Sequence, residues 1–149
     1  MTEQVWTDDR FEEMSWHDNH VHGLRIIENN DGSGELVLDI DHIVEWVEGS
    51  DSAFRFRISP ATLTFHHVMF LRISLDYATP TAAFTPFSIS GIERRLEPRE
   101  RYVAKLWTIP INWPAGELTF EARGFTQRSR REPVLYDGQC LTQDLRGEA

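Results

Sequence analysis

Residues 36–46 read LVLDIDHIVEW, and the order of polar and apolar side chains within them decides the fold class. Leu36, Leu38, Ile40, His42, Val44 and Trp46 fall on one side of an extended chain, while Val37, Asp39, Asp41, Ile43 and Glu45 fall on the other. A period of two is the signature of a strand with one buried and one mostly wet face. Working outward, the same alternation recurs with turn residues between. Trp16 to Glu28 reads as a strand with His20, His22, Leu24 and Ile26 on one face, joined by ENNDGSGE to the strand above as a hairpin. The turn EGSDS at 48–52 leads into FRFRI, Pro60 interrupts, and ATLTFHHV with LRISLDY makes two adjoining strands or one bent strand. TPTAAFTP is a loop bounded by Pro80 and Pro86, FSISGIERR resumes the alternation with a bulge at Gly91, and YVAKLWTIPINW and ELTFEARGF continue it. Leu118, Phe120 and Ala122 form a buried row, the tail PVLYDGQCLT adds a hairpin through Asp137 and Gly138, and QDLRGEA frays.

Thr7 to Met14, TDDRFEEM, has a cap residue, acids in the first turn and Phe11 and Met14 three apart, which predicts a short N-terminal helix. After residue 15 no run of helical period reaches twelve residues, so alternating β and α units are excluded. The expectation is one all-β domain over residues 1–149, an antiparallel β-sandwich or open barrel. At 149 residues, 40% hydrophobic with five Trp and nine Phe, the chain can bury a core without staples.

A net charge of −9 repels phosphate backbones and argues against nucleic acid as partner. The clusters Arg94, Arg95, Arg99, Arg101 and Arg128, Arg130, Arg131 read as solvated loops. The acidic N-terminus is unlike a signal peptide, and no apolar stretch suits a membrane helix. A single cysteine, Cys140, makes no intrachain disulfide, which points to the cytoplasm.

The chemistry-bearing segment is WHDNHVH, residues 16–22. His20 and His22, two apart on a strand, point the same way, and with His17, Asp39 and Asp41 they make a candidate shell for one divalent metal. Asp18 could join that shell. The competing reading is that these histidines are half-buried and hydrogen-bond their neighbours. His66 and His67 face opposite ways, one of them inward, and His42 reads as a satisfied core histidine. Asp39 and Asp41 share a face at a spacing common to many solvated strands, and Cys140 reads as a packed small hydrophobe. No nucleophile elbow, phosphate loop, dinucleotide fingerprint or zinc knuckle is present, so no catalytic residue and no resident cofactor is assigned. Trp107 and Trp113, beside Ile109, Ile111 and two prolines, are candidates for a partner-binding patch or a homodimer edge.

The succession MSWHDNHVHGLRI, ELVLDIDHIVEWV, ISPATLTFHHVMFLRISLDY and FSISGIERR resembles small uncharacterised bacterial proteins and, more distantly, the immunity proteins of polymorphic toxin systems. The likeness covers roughly residues 14–95, and His17, Asp18 and Asp39 match its opening positions. The resemblance implies an all-β cytoplasmic protein without enzymatic activity, some members of which bind and neutralise a toxin. Two other functions stand beside it. One is a small-ligand barrel lined by Trp46, Phe65, Tyr77 and Phe120, and the other is a metal-dependent enzyme centred on His20 and His22.

Overall fold

In the computed structural model, which describes residues 4–49, 53–78 and 83–147, the alternation of Leu36, Leu38 and Ile40 becomes an inward row. All three are fully buried in β3 (Gly34–Glu48) and lie opposite Phe65, Leu63 and Ala61 of β4 (Phe54–Asp76), which are also fully buried. Each such aliphatic side chain contributes roughly 1.5–3 kcal/mol. Val21 and Leu24 of β2 (His20–Glu28) face Ile40 and Leu38 from the other edge of β3. Parity changes between them because a bulge separates Val21 from Gly23. Strict alternation predicts that His20 and His22 share the face of Leu24; the bulge puts them on the other face.

The described chain also contains β1 (Val5–Thr7), β5 (Phe87–Ile89), β6 (Glu93–Pro98), β7 (Val103–Trp113), β8 (Ala115–Glu121), β9 (Gly124–Ser129) and β10 (Val134–Tyr136). Every pairing between them is antiparallel. The all-β antiparallel expectation holds. Helix among the described residues is confined to a 3-10 segment, Asp8–Glu13, and one turn, α1 (Gln143–Arg146). Thr7 precedes the 3-10 segment in an extended conformation but makes no side-chain capping bond to it. Among the described residues no helix is long and apolar enough to cross a membrane.

Strand β4 is the spine. It pairs with β3 and, in succession along its length, with β10, β9 and β8. Pro60 does not interrupt it, and the two segments expected on either side of the proline are one strand. The chain bends instead at His67 and Phe70, two non-glycine residues with φ of 53° and 56°, beside a register shift at Met69/Arg72. The bend releases β4 from β3 and delivers it to β8, and β8 pairs in turn with β7. Continuing through β5 and β2 back to β3, the strands close a ring of six, with β1, β6, β9 and β10 attached to it.

Inside, Phe65 and Phe120 pack edge to face with centroids 4.7 Å apart, flanked by Trp107, Phe125 and Trp16. The two buried indoles are satisfied: Trp16 Nε1 donates to Gln127 Oε1 at 2.8 Å and Trp107 Nε1 to the Ala122 carbonyl at 3.1 Å. The expected row of Leu118, Phe120 and Ala122 is buried here.

A second, smaller core lies on the opposite face of β3 and β4. Ile43, Phe56, Ile58 and Leu141 form it, with Val134, Tyr136 and Leu145 packed against them. The tail builds this layer. Residues 134–136 pair with β4 as a single strand rather than a hairpin, and α1 docks Arg146 at 2% exposure where fraying was expected. The turn at 48–52 and the loop at 79–86 fall in part on residues 50–52 and 79–82, outside the described residues, as do the last two of the tail.

Candidate functional site

The second layer covers the face of β3 that carries Asp39 and Asp41, and this makes the site. Asp41 is fully buried and the Asp39 side chain is 23% exposed, although both were expected to be wet. Burying two carboxylates costs several kcal/mol each unless they are paired and fully hydrogen-bonded. Four segments supply the partners. Arg146 of α1 forms ion pairs with Asp41 Oδ1 and Asp39 Oδ1. Arg130, following β9, donates to Asp39 Oδ1 at 2.7 Å and to Thr62 Oγ1 at 3.0 Å. The Leu141 amide donates to Asp41 Oδ2 at 2.7 Å, and His22 Nε2 lies 2.7 Å from the same oxygen. Arg130 is thus drawn inward, whereas its arginine cluster was expected to lie in solvent.

His22 is the residue displaced by the β2 bulge, and its position explains its charge. Burial disfavours the imidazolium, but the hydrogen bond to Asp41, the contact with the Cys140 thiol and the Asp41 charge outweigh burial and the repulsion of Arg146. The result is a pKa raised to about 9. Cys140 Sγ stands 3.7 Å from His22 Nε2, so this thiol meets a polar cluster rather than packing as a hydrophobe. His20 is the register partner of Asp41, and its buried Nδ1 has no hydrogen-bond partner. Burial pushes the His20 pKa down, against the pull of Asp41.

Of the five residues proposed as a metal shell, the structure brings His22, Asp39 and Asp41 together, with His20 beside them. It leaves out His17, whose exposed ring stacks on Trp46 at 6.1 Å and contacts Asp18 and the Ser90 carbonyl. It adds Cys140, Arg130 and Arg146, which sequence reasoning assigned to a hydrophobe, a loop and a frayed end. The one available signal was a lone arginine in an otherwise acidic terminal segment.

His42 accepts from Asn19 Nδ2 at its Nδ1, 2.9 Å away, and burial lowers its pKa to about 4. It is a neutral, satisfied histidine. Neither His66 nor His67 points into the core. His66 meets Thr126 and Glu35, and His67, in the left-handed region, sits near Asp31. Trp107 is 1% exposed and belongs to the core, so its ring offers no surface to a partner, while Trp113 is 49% exposed. The four residues suggested as a ligand cavity do not line one, since Phe65 and Phe120 are in contact and Trp46 is exposed on the β3–β4 hairpin. An open cleft of about 590 Å³ lies elsewhere, among His67, Met69, Tyr102, Lys105 and Arg123.

Chemically, the Cys140, His22 and Asp41 cluster is not a nucleophile relay. A relay needs the thiol at one ring nitrogen and the carboxylate at the other. Here Sγ and Oδ2 both approach Nε2. What the arrangement can do is hold positive charge between a carboxylate and a thiol. No family model, curated protein or solved structure matches the chain.

Proposed function

We propose that this chain is a non-catalytic binding protein that engages a basic protein, in the manner of an immunity-type inhibitor covering a toxin. The observation that carries the reading is an aromatic outcrop on the β3–β4 hairpin. Trp46 is 44% and Phe54 51% exposed, with their rings 5.9 Å apart, and Val44 beside them is 41% exposed. Clustered aromatics left in water by a folded protein are the usual anchors of protein interfaces. The register shift between Ile43 and Glu45 turns this end of β3 away from the core row. Glu48 stands exposed on the same strand, Glu45 is paired with Arg57 across it at 3.9 Å, and the net charge of −9 steers a cationic partner toward the molecule. The mutual approach of thiol and carboxylate to one histidine nitrogen removes the best candidate for covalent catalysis and so favours binding over turnover.

Affinity capture from lysate with wild type and with a Trp46→Ser/Phe54→Ser double variant, followed by purification of the captured protein and measurement of Kd, tests this. A basic partner whose Kd rises about tenfold or more in the double variant supports the reading. A partner bound equally well by both, or dissociation of a homodimer as the variant's only effect, overturns it.

A further inference from the structure

We infer that His22, Asp41 and Cys140 form a binding site for a zinc-class divalent cation, which clips the C-terminal segment onto the sheet. The three donor atoms, an imidazole nitrogen, a carboxylate oxygen and a thiol sulfur, all lie within 4.8 Å of one another. They come from β2, from β3 and from the connection between β10 and α1, so one ion would tie three segments together. The mixed nitrogen, oxygen and sulfur set suits zinc or cobalt and not magnesium or calcium, which take oxygen ligands.

Of the three donor separations, two are close to what the ion needs, and Sγ and Oδ2, within 4.8 Å of each other, draw together by up to about an ångström on binding. Zinc–ligand bonds of about 2.0–2.3 Å in a tetrahedron hold nitrogen and sulfur roughly 3.6 Å apart, and nitrogen and oxygen roughly 3.3 Å apart. Sγ and Nε2 stand 3.7 Å apart, and Nε2 and Oδ2 at 2.7 Å need to separate by a few tenths of an ångström. Asp41 is already oriented from behind by Arg146 on Oδ1 and by the Leu141 amide on Oδ2, the outer-shell support that metal-binding carboxylates require. The thiolate and the Asp41 carboxylate are the two anionic donors, and Arg146 stays on the carboxylate's other oxygen. Binding sends the thiol proton and the proton on Nε2 to solvent. Entry is through an open groove lined by His20, Tyr136, Gly138, Gln139 and Cys140, and the buried, unpartnered Nδ1 of His20 lies on the same strand face. This inference is independent of the aromatic outcrop and of what binds there.

Chelator-treated protein titrated with Co²⁺, and separately with Zn²⁺, tests the site. The expected result is one equivalent bound, a thiolate-to-cobalt charge-transfer band in the near ultraviolet, and a higher Tm with Zn²⁺. Cys140→Ser, a substitution small enough to keep the fold by circular dichroism, abolishes the band and weakens binding at least tenfold. His22→Gln weakens binding likewise, and His17→Ala changes nothing. Absence of the band in wild type, or stoichiometry and affinity unchanged in Cys140→Ser, overturns the assignment and marks any bound metal as adventitious.

Discussion

At the scale of single residues, the protein shifts His22 and His42 in opposite directions. His22 titrates near 9 in the folded chain and near 6.5 when unfolded, so the protonated form favours the fold. Its contribution is complete below about pH 6.5 and is lost as the pH rises through 9. In chelator-treated protein, the stability gap between wild type and His22→Gln is expected to shrink by about 1–2 kcal/mol between pH 6 and pH 9.5, allowing for solvent screening of a half-buried pair. Urea unfolding at the two pH values measures it, and a gap independent of pH would refute the assignment. His42 works in the opposite sense. Its folded pKa near 4 lies below the unfolded value, so its contribution is present above pH 6.5 and is lost as the pH falls toward 4. A titration of the His42 ring by NMR, still neutral at pH 5, is the expected observation.

Among the elements, α1 does far more than its four residues suggest. It carries the guanidinium that pairs with both Asp39 and Asp41, and Leu145 beside it packs against the second core. Removing one partner of a buried ion pair strands the other, at a cost of about 3–5 kcal/mol. Arg146→Met is expected to destabilise by about 3 kcal/mol, softened because Arg130, His22 and the Leu141 amide remain on the carboxylates. A chain ending at residue 142 is expected to lose at least as much, with faster amide exchange at Leu141, and chemical denaturation with hydrogen exchange reads both. If the truncated chain unfolds at the wild-type midpoint, the tail does not act as a clasp. The bulge in β2 is the other decisive element. Without its one extra residue, His22 would lose its place between Asp41 and the tail.

The whole molecule depends on closure of the strand ring at β4 and β8. Gly116 makes this possible: its φ is 150°, and a Cβ there would stand 2.0 Å from the Ser74 carbonyl oxygen. Gly116→Ala is therefore expected to part the end of β8 from β4 and destabilise by about 2–3 kcal/mol, whereas Gly23→Ala, at a position without positive φ where a Cβ would meet only Asp39 Cβ at 4.0 Å, costs under about 1 kcal/mol. Thermal unfolding of the two variants side by side checks the contrast. The all-β class, the inward row Leu36, Leu38, Ile40 and the row Leu118, Phe120, Ala122 were legible in the chain, because alternation with period two is a local property that each strand states for itself. The gathering of His22 and Asp41 was half legible for the same reason, as two facing strands of one hairpin. That Asp41 is buried, that Arg130 and Arg146 turn inward, that Cys140 meets His22 and that Trp107 is core while Trp46 is exposed were decided by tertiary structure alone. Alternation shows that a strand has two faces, but which of them is covered depends on segments a hundred residues away, and a one-residue bulge reverses every side chain beyond it.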